Sequence, residues 1–94
     1  MNAFQRKVLD VLEPLLKKHT IKNQFETAGV RDSYLHLRDR THGLDVWVYE
    51  DEVAFRCGTY HLQCEKPDFD DSEDMLQFFL QNLASRLDHQ QQHE

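Results

Sequence analysis

Histidine and cysteine are the side chains of this sequence best suited to bind a metal ion, and the chain contains six of the first and two of the second. The sequence has no C-x-x-C motif, and no predicted helix carries two histidines four positions apart. His36 and His61 fall on predicted strands about 14 Å apart, which is too far for one ion. We therefore predict no metal site and no cofactor.

A row of aromatic and basic side chains is the main candidate for a binding surface, because Trp, Tyr and Arg dominate interface hot spots. The ordinary alternative is cross-strand packing, with Arg56 stacked on Trp47 and Arg38 paired with Asp45. In a third alternative a helix covers these side chains, and the rings belong to the core. The predicted row consists of Tyr34, His36, Trp47, Tyr49, Arg56 and His61.

Catalysis has little support in the same residues. A general base needs a partner within hydrogen-bonding reach. The neighbours His36 with Trp47, and Arg56 with His61, do not make a set of nucleophile, base and orienting group. With three glycines, the chain also has no glycine-rich phosphate loop. We expect no enzymatic activity, and an enzyme acting on a phosphodiester or nucleotide is our third hypothesis.

An acidic run is the second candidate surface, and it consists of Glu65, Asp68, Asp70, Asp71, Glu73 and Asp74. The start of a helix would explain the last three, because carboxylates there accept from free backbone N–H groups. The first three have no such explanation. Together with an acidic hairpin tip at residues 50–52, they would suit fast, salt-sensitive capture of a basic protein.

Charge is distributed unevenly along the chain, whose formal net charge is −6. Residues 1–40 contain eight Lys or Arg and five Asp or Glu, whereas residues 41–94 contain three and twelve. Nucleic-acid binding needs a basic stripe to meet phosphates, so we expect no nucleic-acid partner. A basic protein is the partner that this charge favours.

Alternating apolar residues between positions 34 and 64 predict the strands that must position both candidate surfaces. The predicted strands are residues 34–39, 44–50, 53–57 and 60–64. One face of the resulting sheet, here called the apolar face, collects the aliphatic side chains. The opposite face, here called the mixed face, carries Tyr34, His36, Arg38, Asp45, Trp47, Tyr49, Ala54, Arg56, His61 and Gln63.

The register between strands follows from turns at residues 40–43, 51–52 and 58–59. The first turn places Leu35 opposite Val48, the second places Val48 opposite Phe55, and the third places Phe55 opposite Leu62. A slip of one residue would move an entire strand's side chains to the other face. All three turns agree on the same apolar face.

Two amphipathic helices flank the predicted strands. The first covers residues 3–18, with Asn2 as its N-cap and with a kink or break at Pro14. The second covers about residues 72–88, starting at Asp71 or Ser72, and the tail 89–94 is predicted to be disordered. Residues 19–33 have no periodicity and fit an irregular connection, a short helical turn capped by Thr20, or a fifth edge strand.

The predicted fold is α+β, with two layers: an N-terminal helix, a four-stranded antiparallel meander and a C-terminal helix, both helices packing on the apolar face. A chain of 94 residues has room for a single domain, 1–94. The sequence shows no signal peptide and no spanning apolar run, so we predict a cytoplasmic protein without a membrane partner. The register also keeps Cys57 and Cys64 about 13 Å apart, beyond disulfide reach.

The hairpin GLDVWVYEDEVAFRCG and the following acidic helix FDDSEDMLQFFLQNL resemble the small cytosolic immunity proteins of bacterial toxin systems, including contact-dependent growth inhibition and related polymorphic toxins. The resemblance covers residues 34–87 and lies in size, meander, acidity and a single helix after the sheet. It implies a stoichiometric inhibitor that plugs a toxin, commonly a basic nuclease domain, with an acidic or aromatic patch.

Our first hypothesis is therefore a non-enzymatic protein-binding module, most concretely an immunity protein that neutralises a basic toxin domain. The alternative is a small acidic secretion or assembly chaperone that acts as a homodimer through an edge strand or its helices. Secretion chaperones usually have strands after their middle helix, and this sequence predicts none there. Monomer and homodimer both remain open.

Overall fold

Two α-helices and five strands make up the computed structural model of the protein, which describes residues 1–29 and 33–92. In chain order they are α1 (Ala3–Lys18), β1 (Glu26–Ala28), β2 (Tyr34–Asp39), β3 (Leu44–Val48), β4 (Glu52–Cys57), β5 (Tyr60–Glu65), a 3-10 turn (Lys66–Asp68) and α2 (Ser72–Gln92). No helix in the described parts of the chain is both long enough and apolar enough to cross a membrane.

The strands form one antiparallel sheet in the order β1-β2-β3-β4-β5. The predicted α+β class is confirmed, but the predicted number of four strands is wrong. The additional strand is β1, which confirms the edge-strand alternative for residues 19–33; in it Glu26 pairs with His36 and Ala28 with Tyr34. Its sequence, Glu-Thr-Ala, has no apolar alternation and little burial. Pairing with β2 satisfies its backbone, and that pairing leaves no trace in the hydrophobic pattern.

The predicted register is confirmed for the pairs β2–β3 and β4–β5 and wrong for β3–β4. The Tyr49 N–H donates to the Glu52 carbonyl at 2.9 Å, which puts the turn one residue earlier than predicted. Val48 consequently pairs with Val53 rather than with Phe55. Moving a hairpin turn by one residue shifts the register by two, so the division into faces is unaffected.

Both helices pack on the apolar face, where they complete a single core with the sheet. Phe79 of α2 is fully buried and meets the ring of Phe55 edge-on at 5.4 Å between centroids. The helices contribute Val8, Leu12, Leu16, Met75, Leu76, Phe79, Leu83 and Leu87 to this core. Because α1 and α2 lie there, the mixed face is on the side of the sheet away from both, and the alternative of a covering helix is wrong.

Helix α1 begins at a capping box, as the Asn2 prediction requires. The Asn2 Oδ1 accepts from the Gln5 N–H, and the Gln5 Oε1 accepts from the Asn2 N–H, each at 2.9 Å. The Gln5 amide is buried and donates to the Val48 carbonyl at 3.3 Å, which ties α1 to the end of β3. The helix continues through Pro14 to Lys18, so the predicted break does not occur. Burial of Leu12 and Leu16, on either side of Pro14, stabilises the intact helix.

Helix α2 starts at Ser72, within the predicted range, and Asp71 caps it by accepting from the Asp74 N–H at 2.9 Å. It runs to Gln92, so the predicted disorder of residues 89–94 is wrong for 89–92. Residues 93 and 94 lie outside the described chain. The apolar stripe ends at Leu87, but glutamine is a good helix former and no glycine or proline stops the helix.

Two thiols belong to the apolar face. Cys57 of β4 and Cys64 of β5 are both buried and free. Cys57 lies opposite Tyr60 and Cys64 opposite Val53, as the predicted register requires. Burial raises the pKa of each thiol, so both remain protonated and poorly reactive in the folded chain.

Candidate functional site

A buried carboxylate occupies the centre of the mixed face. Asp45 lies on β3 between Arg38 of β2 and Arg56 of β4, the residues directly opposite it on either side. Its Oδ1 accepts from the Arg38 Nε and the His36 Nε2, and its Oδ2 accepts from the Arg56 Nη2, each at 2.9 Å. We call these four residues the Asp45 cluster. Because a carboxylate can only accept, the His36 Nε2 carries a proton.

Two opposing effects set the ionisation of Asp45. Burial raises the pKa of Asp45. The hydrogen bonds from Arg38, His36 and Arg56, together with the charge of Arg38, lower it by more than burial raises it, so the pKa is about 2. The carboxylate is therefore charged throughout the physiological range. Its side chain is only 7% exposed, whereas those of Arg38 and Arg56 are 53% and 51% exposed.

The depressed pKa of Asp45 predicts a loss of stability in acid. The stabilisation is complete above the ordinary aspartate pKa and is lost as the pH falls towards the folded value of about 2. A pKa shift of this size contributes about 2 kcal/mol to the free energy of unfolding at neutral pH, and about 1 kcal/mol of that contribution should be lost by pH 3. Urea unfolding of the wild type and Asp45→Asn at pH 7, 5, 4 and 3 measures this loss. A constant stability difference between the two proteins over this range would contradict the prediction.

Stacked rings extend the cluster along the mixed face. The rings of His36 and Trp47 are parallel to within 2°, with centroids 5.3 Å apart. Tyr34 and Tyr49 form a tilted pair at 5.0 Å, and burial raises the pKa of Tyr49, so its hydroxyl stays protonated. Neighbouring strands thus fix these four rings against one another.

The predicted stacking of Arg56 on Trp47 is wrong. In the observed register Trp47 lies opposite Ala54, and Arg56 lies opposite Asp45. The change follows from the earlier turn between β3 and β4. An arginine does lie over a ring elsewhere, where the Arg86 guanidinium is 3.8 Å from the centre of the Tyr60 ring.

The six residues of the predicted row share the mixed face, where His61 of β5 lies opposite Arg56. Sequence reasoning recognised the pair of Arg38 and Asp45 but did not include either residue in the site. The available signal was Asp45 itself, a charged residue between the apolar residues Leu44 and Val46 of a predicted strand. A charge at such a position is buried only when it is paired.

The acidic run is divided among several structural environments. Asp71 caps α2, and Glu73 pairs with Lys7 of α1 at 2.7 Å, as expected for residues at a helix start. Glu65 ends β5 on the mixed face, where the Gln63 amide donates to it at 3.2 Å. All six residues of the run are exposed, including Asp68, Asp70 and Asp74. Beside them Phe78, which is 44% exposed, contacts Phe69 at 5.7 Å between centroids.

The mixed face lacks the components of a nucleophilic site, as far as the described strands extend. His36 and Asp45 have the arrangement of a base and its orienting group, but two arginines share the same carboxylate. No Ser, Thr or Cys of these strands points to that side. What the arrangement provides is a rigid surface of rings and guanidinium groups.

Comparison of the chain with protein-family models, curated proteins and solved structures finds no match.

Within residues 1–29 and 33–92, no group of three or more His, Cys, Asp or Glu side chains could hold an ion. The extension of α2 places His89 on a helix, four positions before His93. The predicted helix ended at about residue 88 and did not include this pair. His93 lies outside the described residues, so the structure provides no geometry for this pair.

Proposed function

We propose that the chain is a non-enzymatic protein-binding module that docks its partner on the mixed face. The observation that carries this proposal is the Asp45 cluster, which fixes two half-exposed arginines beside the stacked rings of His36 and Trp47. Trp, Tyr and Arg are the side chains that supply most of the binding energy in protein interfaces. Here they lie on the sheet face opposite the helices.

Rigidity of these side chains supports the proposal. Binding costs about 0.5–1.5 kcal/mol for each flexible side chain that becomes ordered. Arg38 and Arg56 are already held by Asp45, and Trp47 is already stacked on His36. A partner would therefore meet side chains whose conformations change little on binding.

Fold stability alone does not require charged side chains at the Asp45 cluster. Replacing a buried ion pair by apolar side chains of similar volume is often neutral or stabilising. The sheet already has a complete core on its other face, which includes Val46, Val53 and Phe55. A buried charge that holds two half-exposed arginines is better explained by the surface that it organises.

The most specific form of this proposal is an immunity protein that neutralises a bacterial toxin by direct binding. It is supported by the resemblance of residues 34–87 to such proteins and by the net charge of −6, which favours a basic partner. Glu52 and Glu65 place negative charge at one end of the mixed face. Asp68 and Asp70 follow β5 in the chain and are also exposed.

The test is affinity capture from the source organism, followed by measurement of the affinity for the captured protein. Trp47→Ala should weaken binding by about thirtyfold or more, because removal of a central aromatic anchor typically costs at least about 2 kcal/mol. Phe78→Ala removes an exposed ring of α2 beside the acidic run, so it reports on the acidic surface and not on the mixed face. A second variant, Asp68→Asn with Asp70→Asn, tests the acidic surface while the Asp71 cap stays intact.

The outcomes separate the functional classes. A captured protein that halts growth when expressed alone, and permits growth when the chain is co-expressed, would support the immunity hypothesis. Equal affinity of the wild type and Trp47→Ala would refute docking on the mixed face. Recovery of a homodimer alone would favour the chaperone hypothesis instead.

A further inference from the structure

A shallow hollow of about 440 Å³ lies beside the Asp45 cluster, at the end of the sheet where two turns meet. The Gly58 N–H donates to the Gly43 carbonyl at 3.0 Å, which joins the turn after β2 to the turn after β4. The hollow is lined by Arg38, Asp39, Arg40, Gly43, Leu44, Asp45, Arg56 and Gly58. Three of these residues are arginines, although the chain as a whole is acidic.

Both carboxylates of the hollow are buried and already engaged. Asp45 accepts from the three donors of its cluster. Asp39 accepts from the Thr41 N–H and from the His42 Nδ1, each at 3.0 Å. The charged groups that reach solvent are therefore the three guanidinium groups.

Donors remain available on these arginines. Arg38 uses its Nε for Asp45, and Arg56 uses its Nη2, so each keeps other N–H groups for a ligand. Arg40 is exposed and forms no ion pair within residues 1–29 and 33–92. A Cβ added at Gly58 would meet no atom within 4 Å, and at Gly43 only the Gly58 nitrogen at 3.8 Å. The floor of the hollow is thus open backbone.

We propose that this hollow binds one carboxylate, presented by an Asp or Glu side chain of the protein partner. The inference rests on the proposed function, since it specifies what the partner places at one end of the mixed face. Three arginines against two aspartates leave one net positive charge in the hollow, which a single carboxylate balances and a phosphate dianion would exceed. Guanidinium groups also match the planar shape of a carboxylate.

The opposite end of the same face has the opposite charge. Glu52 and Glu65 lie directly across from each other there, and the Gln63 amide donates to both. Arg56 and Glu52 are four positions apart on β4, a separation of about 13 Å. The partner that fits carries an acidic residue at the arginine end and basic residues about 13 Å away. This arrangement would fix the partner's orientation as well as its affinity.

The test is a nuclear magnetic resonance titration of the isotope-labelled full chain with the peptide acetyl-Gly-Glu-Gly amide, observing the arginine Nε–Hε signals. Matched arms use acetyl-Gly-Gln-Gly amide, which lacks the charge, and inorganic phosphate. We expect saturable shifts of Arg38 and Arg56 with the glutamate peptide, in the millimolar range, and none with the glutamine peptide. Equal shifts with both peptides, or tighter binding of phosphate, would overturn the proposal.

Arg40→Gln is the decisive variant, because Arg40 lies outside the Asp45 cluster and its removal leaves that cluster intact. It should weaken binding of the glutamate peptide up to about fivefold, as expected for loss of one solvent-exposed ion pair. Arg86→Gln is the control, since Arg86 stacks on Tyr60 and does not line the hollow. Equal effects of these two variants would also refute the proposal. The two proposals can fail separately. If Trp47→Ala abolishes partner capture but the glutamate peptide causes no shifts, the carboxylate site in the hollow is refuted and docking on the mixed face is retained.

Discussion

Replacing Asp45 with asparagine is expected to lower the free energy of unfolding at pH 7 by between about 2 and 3 kcal/mol. The amide has one acceptor oxygen where the carboxylate has two, and its NH₂ group would face the donors of Arg38, His36 and Arg56. The cost stays below that of a fully buried ion pair because both arginines are half-exposed and can turn to water. Urea unfolding followed by circular dichroism measures the change.

Asp51→Asn is the matched control, because it makes the same chemical change at an exposed hairpin turn. Its effect should stay within about 0.5 kcal/mol. Asp45→Asn should also broaden the Nε–Hε signals of Arg38 and Arg56, since both side chains lose their anchor. Equal stability of the two variants would show that Asp45 does not hold the mixed face together.

Replacing Phe79 with alanine is expected to destabilise the protein by about 4 kcal/mol. Phe79 is fully buried and packs edge-on against Phe55, so its removal leaves a cavity between α2 and the sheet. For 94 residues the total stability is about 5–14 kcal/mol, so this one change would remove a large share of it. The mixed face depends on this packing, because Phe55 and Arg56 are neighbours on the same strand.

Phe78→Ala tests the same substitution one position earlier on α2. Phe78 is 44% exposed and contacts Phe69, so the expected cost is below about 1 kcal/mol. Chemical denaturation of the two variants side by side gives the comparison. Similar midpoints would mean that α2 does not pack on the sheet through Phe79.

The two faces of the sheet could be predicted from the sequence, whereas the neighbours on each face could be predicted only in part. Alternation assigns a side chain to a face by its parity along the strand, and shifting a hairpin turn by one residue preserves that parity. The position of the turn depends on local backbone geometry at Glu50 and Asp51, and the hydrophobic pattern does not report it. Arg56 was therefore placed on the correct face but beside Trp47 instead of Asp45.

Two further differences share a physical cause, because they occur where apolar periodicity is absent. Strand β1 consists of Glu26, Thr27 and Ala28 and is held by its backbone pairing with β2. The last residues of α2 follow Leu87, where the apolar stripe has ended and helix propensity alone continues the structure. The Asp45 cluster has a different cause: it depends on three strands meeting in one register, and the predicted register between β3 and β4 was wrong.

The rate at which the two buried thiols react with a thiol reagent measures how often the sheet separates from the helices, and no substitution is needed. A thiol reagent attacks the thiolate, and Cys57 and Cys64 are both protonated and shielded by the core. Modification therefore proceeds only in the fraction of molecules in which β4 or β5 has separated from the helices. Because the mixed face is the reverse side of these same strands, a partner bound there should slow labelling of cysteines that it never touches.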